Sequence, residues 1–550
     1  MSRKFSHTFR RRARRVRLRA TLVVATSMAA AITVSACSNN SADHSALPSQ
    51  GAAGVSSDLQ KFMNTAPWSS GKWGVQVADL KTGEVVQSKG ANSQFMTGST
   101  AKTFAVSAAL NVLGGDHRFR TPVVHSGTVS PDGRLSGDLI MVGSGDLALG
   151  GRTTASGTLD VPDFDHYDAN AVPGMATLTQ EDPLAGINEL ARQVAASGIR
   201  RIDGDVMIDN RLWDPVSIGG VPVTPTVVND NLIDVLVTPG APGESAKVDW
   251  RPKTAAFNVD AQVVTTPAGS KPAVTTESVA PGHIRVRGSV PADAEAPFVT
   301  TYQVPDPAAF ARTVLIEALA RNGVSVASSR LGENPSSKLP SSKEVKAMPV
   351  SATYTSPPFK EYAKLINKVS HNLGANLLPP LMAVQRGQRT YADGMKMERE
   401  FLARAGVDPQ SFTLVDAQGL PGDKATPAAQ ISLLRYLARQ DNFDVFYESM
   451  PSMGVDGSLA DVIDCTNPAA GHIRAKTGTL VSAYKGKLAL GTKALAGYID
   501  VKDGRRYAFA MYVNNIPVPS NSVSDAIDLA LRANKQLGAM AANIYKSPKA

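Results

Sequence analysis

Two short stretches near the start of the foldable sequence alternate apolar and polar positions. They are KWGVQVADL (72–80) and GEVVQSKG (83–90), and they flank Lys81-Thr82-Gly83. A period of two interrupted by a glycine-containing turn predicts a β-hairpin, with Gly83 supplying a positive φ and Lys81 pointing to water. In GSTAKTFAVSAALNVLGG (98–115) the period lengthens. Phe104, Ala108 and Val112 fall at i, i+4 and i+8, one face of a helix that Gly114 stops. From about 120 to 345 the chain runs in short apolar segments such as DLIMVGSGD, GDVMIDN, NLIDVLVTPG and HIRVRGSV, broken by Pro and Gly. This texture predicts mostly β-structure, with a helix near 185–197. A second helix is signalled by Asp306-Pro307, an N-cap followed by proline at the first helical position. PSSKLPSSKE (335–344) reads as an exposed linker. Helical periodicity returns from about 356, and strands are predicted at 474–481, 493–501 and 505–514, the last two joined by Asp503-Gly504.

Composition adds a compartment. The 550 residues are 43% hydrophobic and 19% charged, a globular balance long enough for two to four domains. The formal charge of +9 comes from residues 1–36, which hold nine Lys and Arg and no acid. Without them 48 cations face 48 acids, so the body has little electrostatic attraction for nucleic acid. The basic head precedes ATLVVATSMAAAITV and then Val34-Ser35-Ala36-Cys37. A cationic region, a short apolar run and small residues make an export signal, too short for a membrane span. VSAC resembles a bacterial lipobox, which implies lipidation of Cys37 and an anchor to the outer face of the cytoplasmic membrane. The paired arginines also hint at twin-arginine export. Residues 38–57, rich in Ser, Ala and Gly, read as a flexible tether. Cys465 is then the one other cysteine, read as a small, half-buried residue without a disulfide partner.

Three separated motifs carry the chemistry. In Ser99-Thr100-Ala101-Lys102 the two reactive residues stand three apart, so on a helix the amine reaches the hydroxyl. A serine hydroxyl is a poor nucleophile until a base takes its proton. A lysine desolvated and crowded by other cations serves as that base. Ser370-His371-Asn372 forms a polar notch in the helical pattern LINKVSHNLGANLL. Lys476-Thr477-Gly478-Thr479 opens a strand in which Gly478 admits a substrate backbone. The earlier Lys81-Thr82-Gly83 precedes the serine and sits at a hairpin tip, so only the later copy belongs with the other two. DFDHYD (163–168) gathers acids around His166 without a recognised metal-ligand spacing and reads as a solvated loop; no metal or cofactor is called for. The chain has no G-x-S-x-G, P-loop or H-E-x-x-H motif.

The order Ser-x-x-Lys, Ser-x-Asn, Lys-Thr-Gly resembles the penicilloyl serine transferases. The 271 residues between Ser99 and Ser370 indicate a large insertion after the nucleophile's helix. This is similar to the class C low-molecular-mass penicillin-binding proteins, the type-4 D-alanyl-D-alanine carboxypeptidases and endopeptidases. The likeness runs from about 60 to 535 and includes GSGDLAL (143–149), RIDGDVMIDN (201–210), GVDGSL (454–459) and LAGYI (495–499). The resemblance implies an α/β (α+β) fold: a β-lactamase/transpeptidase-like domain with an antiparallel sheet and helices, formed by 58–119 and 346–540. A β-rich insertion at 120–345 separates the two segments, a signal (1–36) and tether (37–57) precede them, and a tail (541–550) follows.

It also implies roles. Ser99 attacks the terminal D-Ala–D-Ala carbonyl to form an acyl-enzyme, and Lys102 accepts its proton. Ser370 relays a proton toward the leaving amine. Asn372 holds the substrate amide and the Lys102 ammonium, and Lys476 keeps the site electropositive, helping to depress the Lys102 pKa. Thr477 and Thr479 bind the carboxylate, and the backbone N–H groups of Ser99 and Thr479 form the oxyanion hole. The partners implied are peptidoglycan stem peptides and covalently bound β-lactams.

Departures from the pattern are the middle His371, expected to point away from the site, and DPVSIGGVPVTPTVV (214–228) in place of a Trp, Asp and aromatic grip on the peptide's amino end. DAQGLPGD (416–423) lacks an arginine, and extra residues including Lys485 and Lys487 read as a solvated basic loop. Carboxypeptidase and endopeptidase activities share this machinery. A catalytically impaired binder of the same fold, or less readily a β-lactamase, is the alternative.

Overall fold

In the computed structural model, which describes residues 54–520 and 522–549, the alternating stretches around Lys81 pair as the antiparallel strands β1 (Lys72–Asp79) and β2 (Val85–Lys89). Gly83 takes φ +78° between them, and Lys81 is exposed. Cys37, the basic head and the apolar run lie outside the described residues. β3 (Ile473–Tyr484), β4 (Lys487–Asp500) and β5 (Arg506–Pro517) complete a five-stranded sheet in the order β2-β1-β5-β4-β3, all antiparallel. Successive residues of its strands alternate between two cores. Ala508, Ala510 and Tyr512 face one; Tyr507, Phe509 and Met511 face the other. The second core is roofed by α1 (Ser57–Asn64) and the terminal helix Val523–Lys546, which runs past residue 540 where a tail was expected.

The first core surrounds α2 (Ala101–Leu113). The periodicity predicted one packed face, yet every residue from Ala101 to Leu110 is buried. A helix apolar almost all round belongs in an interior, and here it packs against α3 (Phe359–Lys368) and α4 (Asn372–Gln385) as well as the sheet. Gly114 closes it at φ +83°.

A third core holds the β-rich region together. Arg118–His125 pairs with Val350–Pro358 and Leu139–Val142 in a four-stranded sheet. Leu232–Thr238 pairs with Lys247–Arg251 and Phe298–Gln303, and Asn258–Thr266, His283–Pro291 and Thr275–Ala280 form another sheet. The two predicted helices form at Ala185–Ala196 and Pro307–Arg321, the second capped by the Asp306 carboxylate on Ala308 and Ala309 N–H. The stretch read as a linker instead folds partly: Ser341 and Glu344 make a reciprocal capping box for Ser342–Ala347. The extra residues after the third motif are not a loop. They lengthen β3 and β4 into a hairpin whose tip is Lys485-Gly486. Cys465 is exposed, not half-buried, because it follows the surface turn beyond Leu459 instead of entering a core.

The turn carrying Ser99 is wedged between two neighbouring segments. A Cβ on Gly98, whose φ is +49°, would lie 2.8 Å from the Thr479 nitrogen. On the opposite side a Cβ on Gly419 (φ +101°) would lie 1.9 Å from the Gly98 carbonyl oxygen. Gly419→Ala therefore should lower stability by about 1–3 kcal/mol in urea unfolding, through backbone strain and collision; an unchanged midpoint contradicts this packing.

Candidate active site

Ser99 stands on the single turn Gly98–Thr100 that leads into α2. The approach to it is fastened to the sheet: Met96 N donates to Asn514 Oδ1 (2.8 Å) and Thr492 Oγ1 donates to Met96 O (2.9 Å). Lys102, one turn on, donates from Nζ to Ser99 Oγ at 2.8 Å, Asn372 Oδ1 at 2.7 Å and the Gln418 carbonyl at 3.1 Å. All three acceptors are uncharged, and Lys102 is fully buried. Burial lowers its pKa to about 7, while the carboxylates of Asp168, Asp416 and Asp423 pull it the other way. Loss of water is the largest cause of the lowering. Repulsion appears on Lys476 itself, which burial and then Lys102 hold well below the usual lysine value.

The second motif breaks a helix. α3 ends at Lys368, α4 begins at Asn372, and Ser370 between them takes φ +64°, a conformation that costs a non-glycine residue about 1–3 kcal/mol. The break turns Ser370 Oγ toward β3, where Lys476 Nζ donates to it at 2.9 Å and to the Thr477 carbonyl at 2.9 Å. Thr477 Oγ1 is 3.1 Å from Ser458 Oγ, and exposed Thr479 accepts from Lys493 Nζ at 2.7 Å. Gly478 does not leave space for a substrate backbone; a Cβ there would lie 2.4 Å from Thr97 O, so its smallness admits the Ser99 turn. Ser99, Lys102 and Asn372 therefore form one hydrogen-bonded group and Ser370 and Lys476 a second, near enough for the two ammonium groups to repel, flanked by the Thr477–Thr479 strand.

His371 turns away from this line, capping α4 by accepting from Gly374 N (3.0 Å). Its Nε2 lies 3.3 Å from Asp230 Oδ2. Behind it Asp165 and His166 of DFDHYD are buried, which overturns the solvated-loop reading. Arg152 grips Asp165 with both Nη atoms (2.7 and 3.0 Å) and Asp230 at 2.5 Å. His166 sits between Asp230 (2.7 Å) and Asp234 (2.6 Å), and Asp234 meets Arg251 at 3.0 Å. Burial opposes charge on His166, but Asp234 and Asp165 raise its pKa to about 10. Three cations thus offset three carboxylates. Donor atoms of Asp165, His166 and Asp230 lie within 4.8 Å of one another, near enough for a metal, yet both His166 nitrogens carry protons and Arg152 already holds the acids.

A family model for D-Ala-D-Ala carboxypeptidase 3 (S13) matches residues 55–534. The chain belongs to that family. The D-alanyl-D-alanine carboxypeptidase of Actinomadura sp. (strain R39) is 30% identical over 486 residues, 83% of this chain and 80% of the relative. The crystal structure of penicillin binding protein 4 (dacB) from Haemophilus influenzae superposes with a TM-score of 0.63 at 20% identity, covering 87% of this chain and 99% of that one. The same H. influenzae protein complexed with a β-lactam matches with the same TM-score over 90% of this chain. This S13 chain is a serine-type D-Ala-D-Ala carboxypeptidase, with the mixed helix-and-sheet fold of the penicillin-binding proteins. Peptidoglycan, the substrate of such hydrolases, lies outside the cytoplasm.

Within the S13 cleft, sequence reasoning missed Asp168. It follows Tyr167, whose ring lies 4.5 Å from the His371 ring, and its half-buried carboxylate takes no hydrogen bond from any described residue. Burial raises its pKa to about 6, against Lys102, His371 and Lys476. Beside Asn372 and Gln418 lies a cavity of about 310 Å³, walled also by Tyr167, Asn170, Ile218 and Leu420 and lined by no charged residue. Its 218–221 wall comes from DPVSIGGVPVTPTVV (214–228).

Lys102 should titrate near pH 7 when followed by NMR of ¹³C-labelled lysine. In Asp168→Asn the midpoint should fall, because an anion favouring the ammonium is gone; an unchanged or higher midpoint contradicts the arrangement.

Proposed function

We propose that the cleft hydrolyses the terminal D-Ala–D-Ala bond of peptidoglycan stem peptides, and cleaves D-Ala cross-links by the same acylation. The observation that carries this is the contact of a neutralisable lysine with the serine, Lys102 Nζ to Ser99 Oγ at 2.8 Å, backed by the Lys476–Ser370 pair at 2.9 Å. Neutral Lys102 takes the Ser99 proton as Oγ adds to the carbonyl carbon. The oxyanion is received by the N–H groups of Ser99 and Thr479, where loss of one donor costs about 3–4 kcal/mol. Collapse expels D-alanine, whose nitrogen receives a proton through Ser370, and Lys476 stabilises the charge on that path. Asn372 holds Lys102 and the substrate amide, while Thr477 and Thr479 hold the carboxylate. Water then attacks the acyl-enzyme. A β-lactam follows the same first step and remains attached.

The division into a two-segment transpeptidase-like domain with an inserted β-rich part is our reading of the separate cores. Lipidation of Cys37 is the finer reading of where the enzyme works. It rests on the lipobox-like Val34-Ser35-Ala36-Cys37 and lies outside the described residues; among those residues no helix is long and apolar enough to cross a membrane.

Purified muropeptides incubated with the enzyme should lose terminal D-Ala, cross-linked species falling to monomers if endopeptidase activity is present, as read by mass spectrometry. Ser99→Ala should abolish this, and Lys102→Ala should slow it about 10²–10⁴-fold. Labelling by a fluorescent penicillin without any D-Ala release would favour an impaired binder instead. Cys37→Ala should move the protein from the membrane fraction to the soluble one on fractionation; full retention in membranes rules out the lipid anchor.

A further inference from the structure

The proton-transfer chain leaves one buried cation without a task. Lys493 lies on β4 directly across from Thr479 on β3, so the two side chains leave the sheet on the same face. Lys493 is 5% exposed, and its Nζ makes one hydrogen bond, to Thr479 Oγ1 at 2.7 Å. Among the described residues no carboxylate comes within 4.0 Å of it, which sets it apart from the many Lys and Arg of this protein that meet an acid. The charged group that bears on it electrostatically is another cation, Lys476.

A buried ammonium with a single hydroxyl for company is a costly arrangement. An apolar residue at this place in the sheet would be more stable. The cost makes sense where an anion arrives to complete the pairing. Thr479, the one group Lys493 touches, is exposed at the cleft. Strands β3 and β4 fix the spacing of the ammonium and the hydroxyl, and the Thr479 backbone borders the Ser99 turn, its nitrogen lying 2.8 Å from where a Cβ on Gly98 would be.

We propose that Lys493 is the ionic partner of the substrate's terminal carboxylate, holding it jointly with Thr479 and thereby requiring a free α-carboxylate on the leaving amino acid. This deepens, and rests on, the function proposed above. The assignment gives the threonines of the third motif a formal positive charge to work with; Lys476 is spent on Ser370 and the Thr477 carbonyl. Burial alone lowers the Lys493 pKa to about 7, so a docked anion would also draw its proton into place. Lys493 acts on binding and orientation, not on the acyl transfer itself.

The test compares two acyl-D-Ala-D-Ala peptides, one with its terminal carboxylate and one with a carboxamide. In Lys493→Gln the preference for the carboxylate, as a ratio of kcat/KM values, should fall about tenfold or more, with the loss in KM. Lys493→Arg should restore most of it. An unchanged ratio in Lys493→Gln, or an equal loss for both peptides, overturns the proposal. Independently of how those variants fold, the ¹³Cε resonance of Lys493 in the Ser99→Ala protein should shift on saturation with the carboxylate peptide and not with the carboxamide. Absence of that difference also overturns it. Release of D-Ala by the wild-type protein, abolished in Ser99→Ala, tests the underlying activity separately. Activity with an unaltered ratio sinks only the role of Lys493; no activity sinks both.

Discussion

The cleft depends on an ammonium kept from water among neutral oxygens. Lys102 has a hydroxyl, an amide oxygen and a backbone carbonyl as its acceptors and no carboxylate in contact. A carboxylate at hydrogen-bond distance would lock the proton on, and full exposure would return the amine to its ordinary basicity. Three elements distant in sequence supply these acceptors: the Ser99 turn, the start of α4, and the loop at Gln418. That loop is itself shaped by Asp416, which accepts from the N–H groups of Gln418 and Gly419 at 2.8 Å. Two of the catalytic motifs and the Gln418 loop thus share one ammonium.

The β-rich region does more than lengthen the chain. Its segment around Asp165–Asp168 reaches back to the transpeptidase-like part, where Asp163 accepts from Gly457 N at 2.7 Å and Tyr167 lies against His371. Asp230, the middle of three successive residues with positive φ (Asn229, Asp230, Asn231), ties Arg152, His166 and His371 into one buried cluster. Replacing one member would leave a buried charge unmatched, a penalty of about 3–5 kcal/mol by analogy with broken buried ion pairs. The helix break that aims Ser370 is strained, and this cluster stands directly behind it.

Much of the chemistry was legible because motif order survives in a linear string. Ser99, Lys102, Ser370, Asn372 and Lys476 could be named before any geometry was known, and the hairpin at Gly83 and the cap at Asp306 followed from local turn and helix preferences. What escaped notice depends on pairings far apart in sequence. DFDHYD reads as polar and solvated unless Asp230 and Asp234, more than sixty residues on, are known to enclose it. The positive φ of Ser370 is invisible because serine gives no conformational signal. The exposed-linker reading at 335–344 missed the start of a short helix for a different reason: S-x-x-E was present as a capping signal and was outweighed by the surrounding prolines. Lys493 escaped because the segment around Lys485 and Lys487 reads as a solvated loop; only when it is a hairpin tip does β4 pair back along β3 and put Lys493 opposite Thr479.

The order of strands in the sheet has one more bearing on how the enzyme meets its polymer. Ser56 N, near the start of the described residues, is bonded to Gln87 on β2, and Gln87 also donates to the Pro548 carbonyl. β2 is one margin of the sheet, and β3, with the reactive groups, is the other. Four strand spacings separate them, about 19 Å. Ser56 and Pro548 therefore both sit at the margin opposite the mouth, so neither of these segments stands in the way of a long, rigid glycan mesh sliding past it.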